Sequence, residues 1–234
     1  MSTGAGVGAA APRAVLLDAL GTLVFFPPPW PLLVGDLAAR GVSVSLRDAR
    51  AALRAEIGFY RAHHHAASDP PALARLRAQC TEVLGEHLPA AAVALGPAEL
   101  QAALVASLRF TAYPEVARVL DALAARGVVL VVVSNWDVSL HEVLMSTGLA
   151  GRFAAVLTSA EHGAAKPDPS IFRAALAVAG VEDPADAWHV GDDLEADVGG
   201  ARAAGITPVL VDRDEAPGQP GVRTVATLDG LLVP

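Results

Sequence analysis

Apolar residues fall into two patterns along this chain, and the change from one to the other divides it. In the first pattern they form short unbroken runs. Residues 14–17 (Ala-Val-Leu-Leu), 128–133 (Val-Val-Leu-Val-Val-Val), 153–158, 187–190 and 207–211 are of this kind. Such runs suit strands with both faces covered, as in a parallel sheet. Between them the spacing becomes helical. Val116, Val119, Leu120 and Leu123 make one stripe, opened by Pro114 and ended by Gly127. Further helices are expected over 138–145 and from Ala201 to Gly205. Strands alternating with helices predict a doubly wound α/β parallel sheet.

The second pattern fills residues 32–108 and is helical throughout. Leu32, Leu33, Leu37 and Ala38 share a face, and the 41–45 stretch breaks that helix. Ser45 is placed to cap the next one, which carries Ala49, Leu53, Ile57 and Tyr60. Pro70-Pro71 punctuates, then Leu73, Leu76, Cys80, Val83 and Leu84 form another stripe, and Pro97 opens a last helix. No strand is expected here. The entry, Val24-Phe25-Phe26-Pro27-Pro28-Pro29-Trp30-Pro31, reads as a stiff connector with aromatic anchors. The expected organisation is a core of residues 13–26 and 111–234, an inserted helical domain of 27–110, and a disordered leader of 1–12. The 216–220 stretch is expected to be a loop, and 227–231 a final turn or short helix.

Composition narrows the function classes. The formal net charge is −8 and Arg is scattered without a dense basic block, which argues against nucleic-acid binding. No apolar run is long enough for a convincing membrane span, and the first residues lack the features of a signal peptide. Cys80 is the only cysteine, so an intrachain disulfide is impossible; a reducing, cytoplasmic setting is expected. Amid Leu76 and Leu84 it reads as a small buried apolar residue.

Candidate chemistry gathers where strands end, because ligands of open α/β sheets bind at the carboxyl ends of strands. The first run ends in Asp18-Ala19-Leu20-Gly21-Thr22-Leu23, and the strongest run ends in Ser134-Asn135. Lys166-Pro167-Asp168-Pro169 precedes a helix and holds the only lysine in an Arg-using chain. The run at 187–190 ends in Gly191-Asp192-Asp193, with Asp197 four residues on. Each is ambiguous alone: Asp18 as a cap, Ser134 as a helix cap, the 192–197 acids as a helix start. Clustered carboxylates repel unless a cation lies between them, and hard oxygen donors suit Mg²⁺. Tyr60-Arg61-Ala62-His63-His64-His65 in the insertion stands apart. Consecutive histidines point in different directions on a helix, against a metal site. They form a solvated helix end, or one of them faces a substrate together with Arg61.

Taken in order, these four stretches resemble the motifs of the haloacid dehalogenase-like (HAD) hydrolase superfamily, and the helical insertion resembles its C1-type cap. The resemblance covers roughly residues 15–211. It implies a Rossmann-like core and a hydrolase working through an aspartyl intermediate on Asp18. By the same resemblance, Thr22 and Ser134 orient phosphate oxygens or the carboxylate, with Asn135 beside them, and Lys166 balances charge. Asp192 binds Mg²⁺ with Asp18 and the Leu20 carbonyl, while Asp193 and Asp197 hold that shell or position Lys166. Leu20, Gly21, Arg61 and His64 are the expected substrate contacts. The motif normally reads Asp-x-Asp-Gly-Thr-Leu, and here Leu20 replaces the second Asp, the usual general acid and base. Three readings follow. The chain is a Mg²⁺-dependent phosphatase with a substitute acid, drawn from His63, His64 or His65, or with substrates needing none. Alternatively it is a metal-independent 2-haloacid dehalogenase, whose halide leaves unprotonated, although such relatives replace the metal-binding Asp that persists here. The third is a catalytically weak member that binds a ligand or partner. The expected partner is a small anionic molecule, and the chain is expected to be a monomer or homodimer.

Overall fold

The computed structural model describes residues 11–214 and 220–233. Most of the expected leader and of the 216–220 loop therefore lies outside the described residues. A six-stranded parallel sheet has the order β5-β4-β1-β6-β7-β8. Its strands are β1 (Ala14–Leu17), β4 (Val129–Ser134), β5 (Ala155–Thr158), β6 (Ala187–Gly191), β7 (Thr207–Val211) and β8 (Arg223–Val225). Alternation along β1 explains why all four of its side chains are buried. Val15 and Leu17 join one cluster with Val119, Leu120 and Leu123 of α6 (Val116–Ala125). Ala14 and Leu16 join another with Ile171, Phe172 and Leu176 of α9 (Pro169–Ala179). Helices on both faces are what an unbroken apolar strand requires.

The chain moves from β1 outward through β4 to β5, then returns to build β6, β7 and β8 on the other side. β1 is therefore the switch point, flanked by β4 and β6. Leu17 pairs in register with Val132 and with Val190. Asp18, Ser134 and Gly191 consequently emerge side by side at one sheet edge.

The insertion consists of α1 (Trp30–Ala39), α2 (Leu46–His63), α3 (Pro70–Glu86), α4 (Ala90–Val93) and α5 (Pro97–Ser107). Its core is its own, containing Leu33, Leu37, Leu53, Leu76, Leu84 and Leu104. Ser45 caps α2 by accepting from the Asp48 amide at 3.1 Å, as expected, and Asp69 caps α3 in the same way at 2.7 Å.

Three local expectations need correction. The connector opens with a strand: β2 (Val24–Phe25) pairs antiparallel with β3 (Thr111–Ala112), so exit from and return to the sheet domain share one two-stranded hinge. The α2 stripe is rotated. Ala49, Ala52, Leu53 and Glu56 are buried, while Ile57 and Tyr60 are only half-buried. The histidine run is not wholly a solvated helix end. α2 stops at His63, a 3₁₀ turn follows over His64–Ala66, and the turn rotates His64 inward to 7% exposure between two exposed neighbours.

Candidate active site

Asp18 lies 7% exposed at the end of β1, and two donors converge on its Oδ1. The Ser134 hydroxyl donates at 2.9 Å from the end of β4, and the Lys166 ammonium donates at 2.6 Å. Ser134 therefore holds the carboxylate and does not cap a helix. Lys166 also donates to Asp197 Oδ1 at 2.5 Å, and both of these side chains are almost fully buried. Burial would lower the Lys166 pKa, but the Asp18 and Asp197 charges outweigh it and raise it. Burial likewise acts to raise Asp197, and there the Lys166 charge and the His189 hydrogen bond win, holding its carboxyl well below the usual range. The ion pairs are thus a buried unit, and removing one member would leave an uncompensated charge costing roughly 3–5 kcal/mol.

Asn135 acts on the backbone. Its amide nitrogen donates to the Lys166 carbonyl at 2.9 Å, and its Oδ1 accepts from the Lys166 amide at 2.8 Å. This two-point clamp fixes the start of the lysine side chain. His189, in the middle of β6, was not singled out from sequence; it meets Asp197 Oδ1 through Nε2 at 2.8 Å and packs edge-on against Phe172. The available signal was a polar residue inside an apolar strand. Arg213 was also missed. It donates to the Gly21 carbonyl at 2.9 Å and the Thr22 carbonyl at 2.7 Å, bracing the loop after Asp18.

Thr22 does not fit its expected role, and Asp193 does not fit that of positioning Lys166. Thr22 is fully buried, its hydroxyl lacks a partner, and it is not in the cavity wall, so it neither lies against substrate oxygens nor bonds the Asp18 carboxylate. Asp193 turns away from Lys166. Its Oδ1 accepts from the Glu195 and Ala196 amides at 2.8 and 2.7 Å, capping the helical segment that starts at Leu194. Of the acids after β6, Asp197 alone touches the lysine.

Asp18, Asp192 and Asp197 each offer a carboxylate oxygen, and the three lie within 4.8 Å of one another. Asp197 is already committed to Lys166, His189 and the Asp193 amide. Asp192 is different. Partial desolvation, then the Asp18 and Asp197 charges, push its carboxyl up to about 7. Burial raises Asp18 as well, and Lys166 only partly offsets it. The one Lys166 ammonium therefore leaves the three clustered carboxyls short of positive charge. Among the described residues no donor engages the Leu20 carbonyl. These hard oxygens fit Mg²⁺. Gly21 leaves room for Asp192: φ is +83°, and a Cβ there would lie 2.1 Å from Asp192 Oδ2.

Above this edge is a cavity of about 970 Å³ between the sheet domain and the insertion. Asp18, Lys166, Asp192 and Asp197 line one side, together with Leu20, which is 39% exposed. Arg61, His64, Glu56 and Tyr60 come from the insertion. The expected contacts Arg61 and His64 do face this space, whereas His63 bonds back to the Phe59 carbonyl at 2.7 Å. Burial, and then His65, lower His64 to a pKa of about 4, so it is neutral near pH 7 and is no ready proton donor. The two parts meet directly. The Val138 amide donates to the Ala67 carbonyl at 3.0 Å, and Arg77 pairs with Glu142 at 3.0 Å.

Glu56 is 3% exposed, and its pKa is raised to about 7, mainly by burial. A carboxyl with a folded pKa above its unfolded value of 4.5 binds its proton more tightly in the native state. Stability is then lost as pH rises from about 4.5 to 7, by up to roughly 3–4 kcal/mol at about 1.4 kcal/mol per unit. Glu56→Gln is therefore expected to raise Tm relative to wild type at pH 8 by more than it does at pH 5. Thermal unfolding of both proteins at both pH values measures this. An equal difference at the two pH values would contradict it.

Comparison with known proteins agrees with this architecture. The chain matches the haloacid dehalogenase-like hydrolase family over residues 12–205 and belongs to it. It is 43% identical over 113 residues to a phosphoserine phosphatase of Thermus thermophilus, covering 48% of this chain and 45% of that protein. It is 35% identical over 133 residues to a ribulose-1,5-bisphosphate 5-phosphatase of Halopiger xanaduensis, covering 56% and 54%. The matches thus span about half the length of these curated relatives. Among solved structures, a HAD phosphatase from Thermococcus onnurineus superposes with a TM-score of 0.62 at 25% identity, covering 94% of this chain and 95% of that one.

Proposed function

We propose that this chain is a Mg²⁺-dependent phosphatase acting on a small phosphorylated metabolite through an aspartyl intermediate. The observation that carries this is Asp18, held at Oδ1 by Ser134 and Lys166 and lying beside Asp192 in the wall of the cavity. Phosphatase-named relatives support the same class. Residues 27–110 act as the cap, and 13–26 with 111–234 as the catalytic core.

In the first step an Asp18 oxygen attacks phosphorus. An acyl-phosphate bond forms and the bond to the leaving oxygen breaks, the electron pair going to that oxygen. Lys166 and Ser134 fix the carboxylate so that little reorganisation is needed. Asn135 holds the lysine backbone, and Asp197 with His189 holds its ammonium. In the second step water attacks phosphorus, releases inorganic phosphate and restores Asp18. Bound Mg²⁺, held by Asp18, Asp192 and the Leu20 carbonyl, would neutralise phosphoryl charge. The cap covers the site and restricts access of bulk water. Among the described residues no helix is long and apolar enough to cross a membrane.

Leu20 favours one other reading, halide displacement, which needs no acid. The two are separated by assaying p-nitrophenyl phosphate and L-2-chloropropionate, each with Mg²⁺ and with EDTA. Nitrophenol release lost in EDTA is expected. Chloride release that persists in EDTA would replace this reading with a dehalogenase.

A further inference from the structure

The same cavity carries further polar side chains that the reaction above does not use. Asp137, after β4, is fully buried: Oδ1 accepts from the Ser139 amide at 2.6 Å, while Oδ2 has no partner. Glu56 reaches the same cavity from α2, and His64 reaches it with a buried, partnerless Nδ1. Tyr60 and Cys80 lie among them. Burial first, then Asp137, raise the Tyr60 hydroxyl well above its ordinary pKa, with Cys80 and Glu56 adding less, and both acids also raise Cys80. Both carboxyls line the same cavity.

Buried polar atoms are normally hydrogen-bonded, and a buried carboxylate normally has a cation. Neither acid has an ion-pair partner among the described residues. The cavity arginines are engaged elsewhere or open to solvent: Arg77 pairs with Glu142, Arg109 donates to the Ala106 carbonyl, and Arg61 is exposed. Ionised carboxylates only accept hydrogen bonds. A single hydroxyl could supply one donor and no charge, whereas an ammonium supplies three donors and the missing positive charge.

We propose that Glu56 and Asp137, with Tyr60 and His64, form a subsite for a primary ammonium on the leaving part of the substrate. The substrate class is then an amine-bearing phosphomonoester, its phosphoryl group at Asp18 and its amine against the cap. This rests on the phosphatase reading for the position of the phosphoryl group alone.

The test measures binding and so needs no turnover. Isothermal titration of the wild-type protein in Mg²⁺ compares 3-aminopropylphosphonate, 3-hydroxypropylphosphonate and propylphosphonate. The amine is expected to bind about tenfold or more tightly than either, the scale of one charged hydrogen-bonded contact. Glu56→Gln and Asp137→Asn, checked for folding by circular dichroism, are each expected to bring the ratio toward one. Equal affinities, no measurable binding of the amine, or a hydroxyl compound binding as well as the amine would each overturn the subsite. So would a ratio unchanged in both folded variants. Inert p-nitrophenyl phosphate alongside tenfold amine selectivity would instead defeat the phosphatase reading and leave the subsite standing.

Discussion

Asp18→Asn is expected to reduce hydrolysis of p-nitrophenyl phosphate by about a thousandfold or more in kcat, without unfolding the protein. An amide is too poor a nucleophile to form the acyl phosphate. The substitution is isosteric, and its oxygen can still accept from Ser134 and Lys166, which lie 2.9 and 2.6 Å from Oδ1 in the wild type. Loss of activity with an unchanged far-ultraviolet spectrum would therefore report chemistry. Measurable steady-state turnover by the folded variant would remove Asp18 from the nucleophile role.

Leu20→Asp is expected to act in the opposite direction. General acid–base assistance is worth roughly 10²–10⁴-fold, and the gain should appear with alkyl phosphates, whose leaving oxygen needs a proton. With p-nitrophenyl phosphate the first step should change little. Leu20 is 39% exposed and lines the cavity, so a carboxylate there remains solvated and faces the substrate. His64 does not fill this role, because its burial keeps it neutral near pH 7. Paired assays of kcat/KM on an alkyl and an aryl phosphate check the selectivity of the gain. An unchanged or lower value for the alkyl ester in a folded variant would contradict the missing-acid account.

Much of this site was readable in the chain, for a definite physical reason. Strands buried on both faces need consecutive apolar residues, so β1, β4 and β6 and the polar residues at their ends stood out. Lys166 was conspicuous as the only lysine. Side-chain direction was less readable. Asp193 and Asp197 both follow Asp192, and only the helical turn decides that one caps backbone amides while the other meets Lys166. Thr22 emerges from the same turn as Gly21 yet points into the interior. The β2–β3 hinge has two residues per strand, too few to show a period, and its partners lie far apart in sequence. Glu56 offered a signal that was not used: an acid three residues after Leu53, on the buried side of α2. His189 offered another, a polar side chain in a strand otherwise buried and apolar.

The missing acid and base bears on both halves of the reaction. With a good leaving group, formation of the acyl phosphate needs no proton donor, while its hydrolysis still lacks a base to activate water. Rapid-quench mixing of enzyme with p-nitrophenyl phosphate in Mg²⁺ tests the proposed chemistry most directly. The expected result is a nitrophenol burst stoichiometric with enzyme, slow steady turnover, and phosphate recovered on the peptide that contains Asp18. Nitrophenol release with phosphate on any other residue, or turnover that leaves Asp18 unmodified at every time point, would contradict the account.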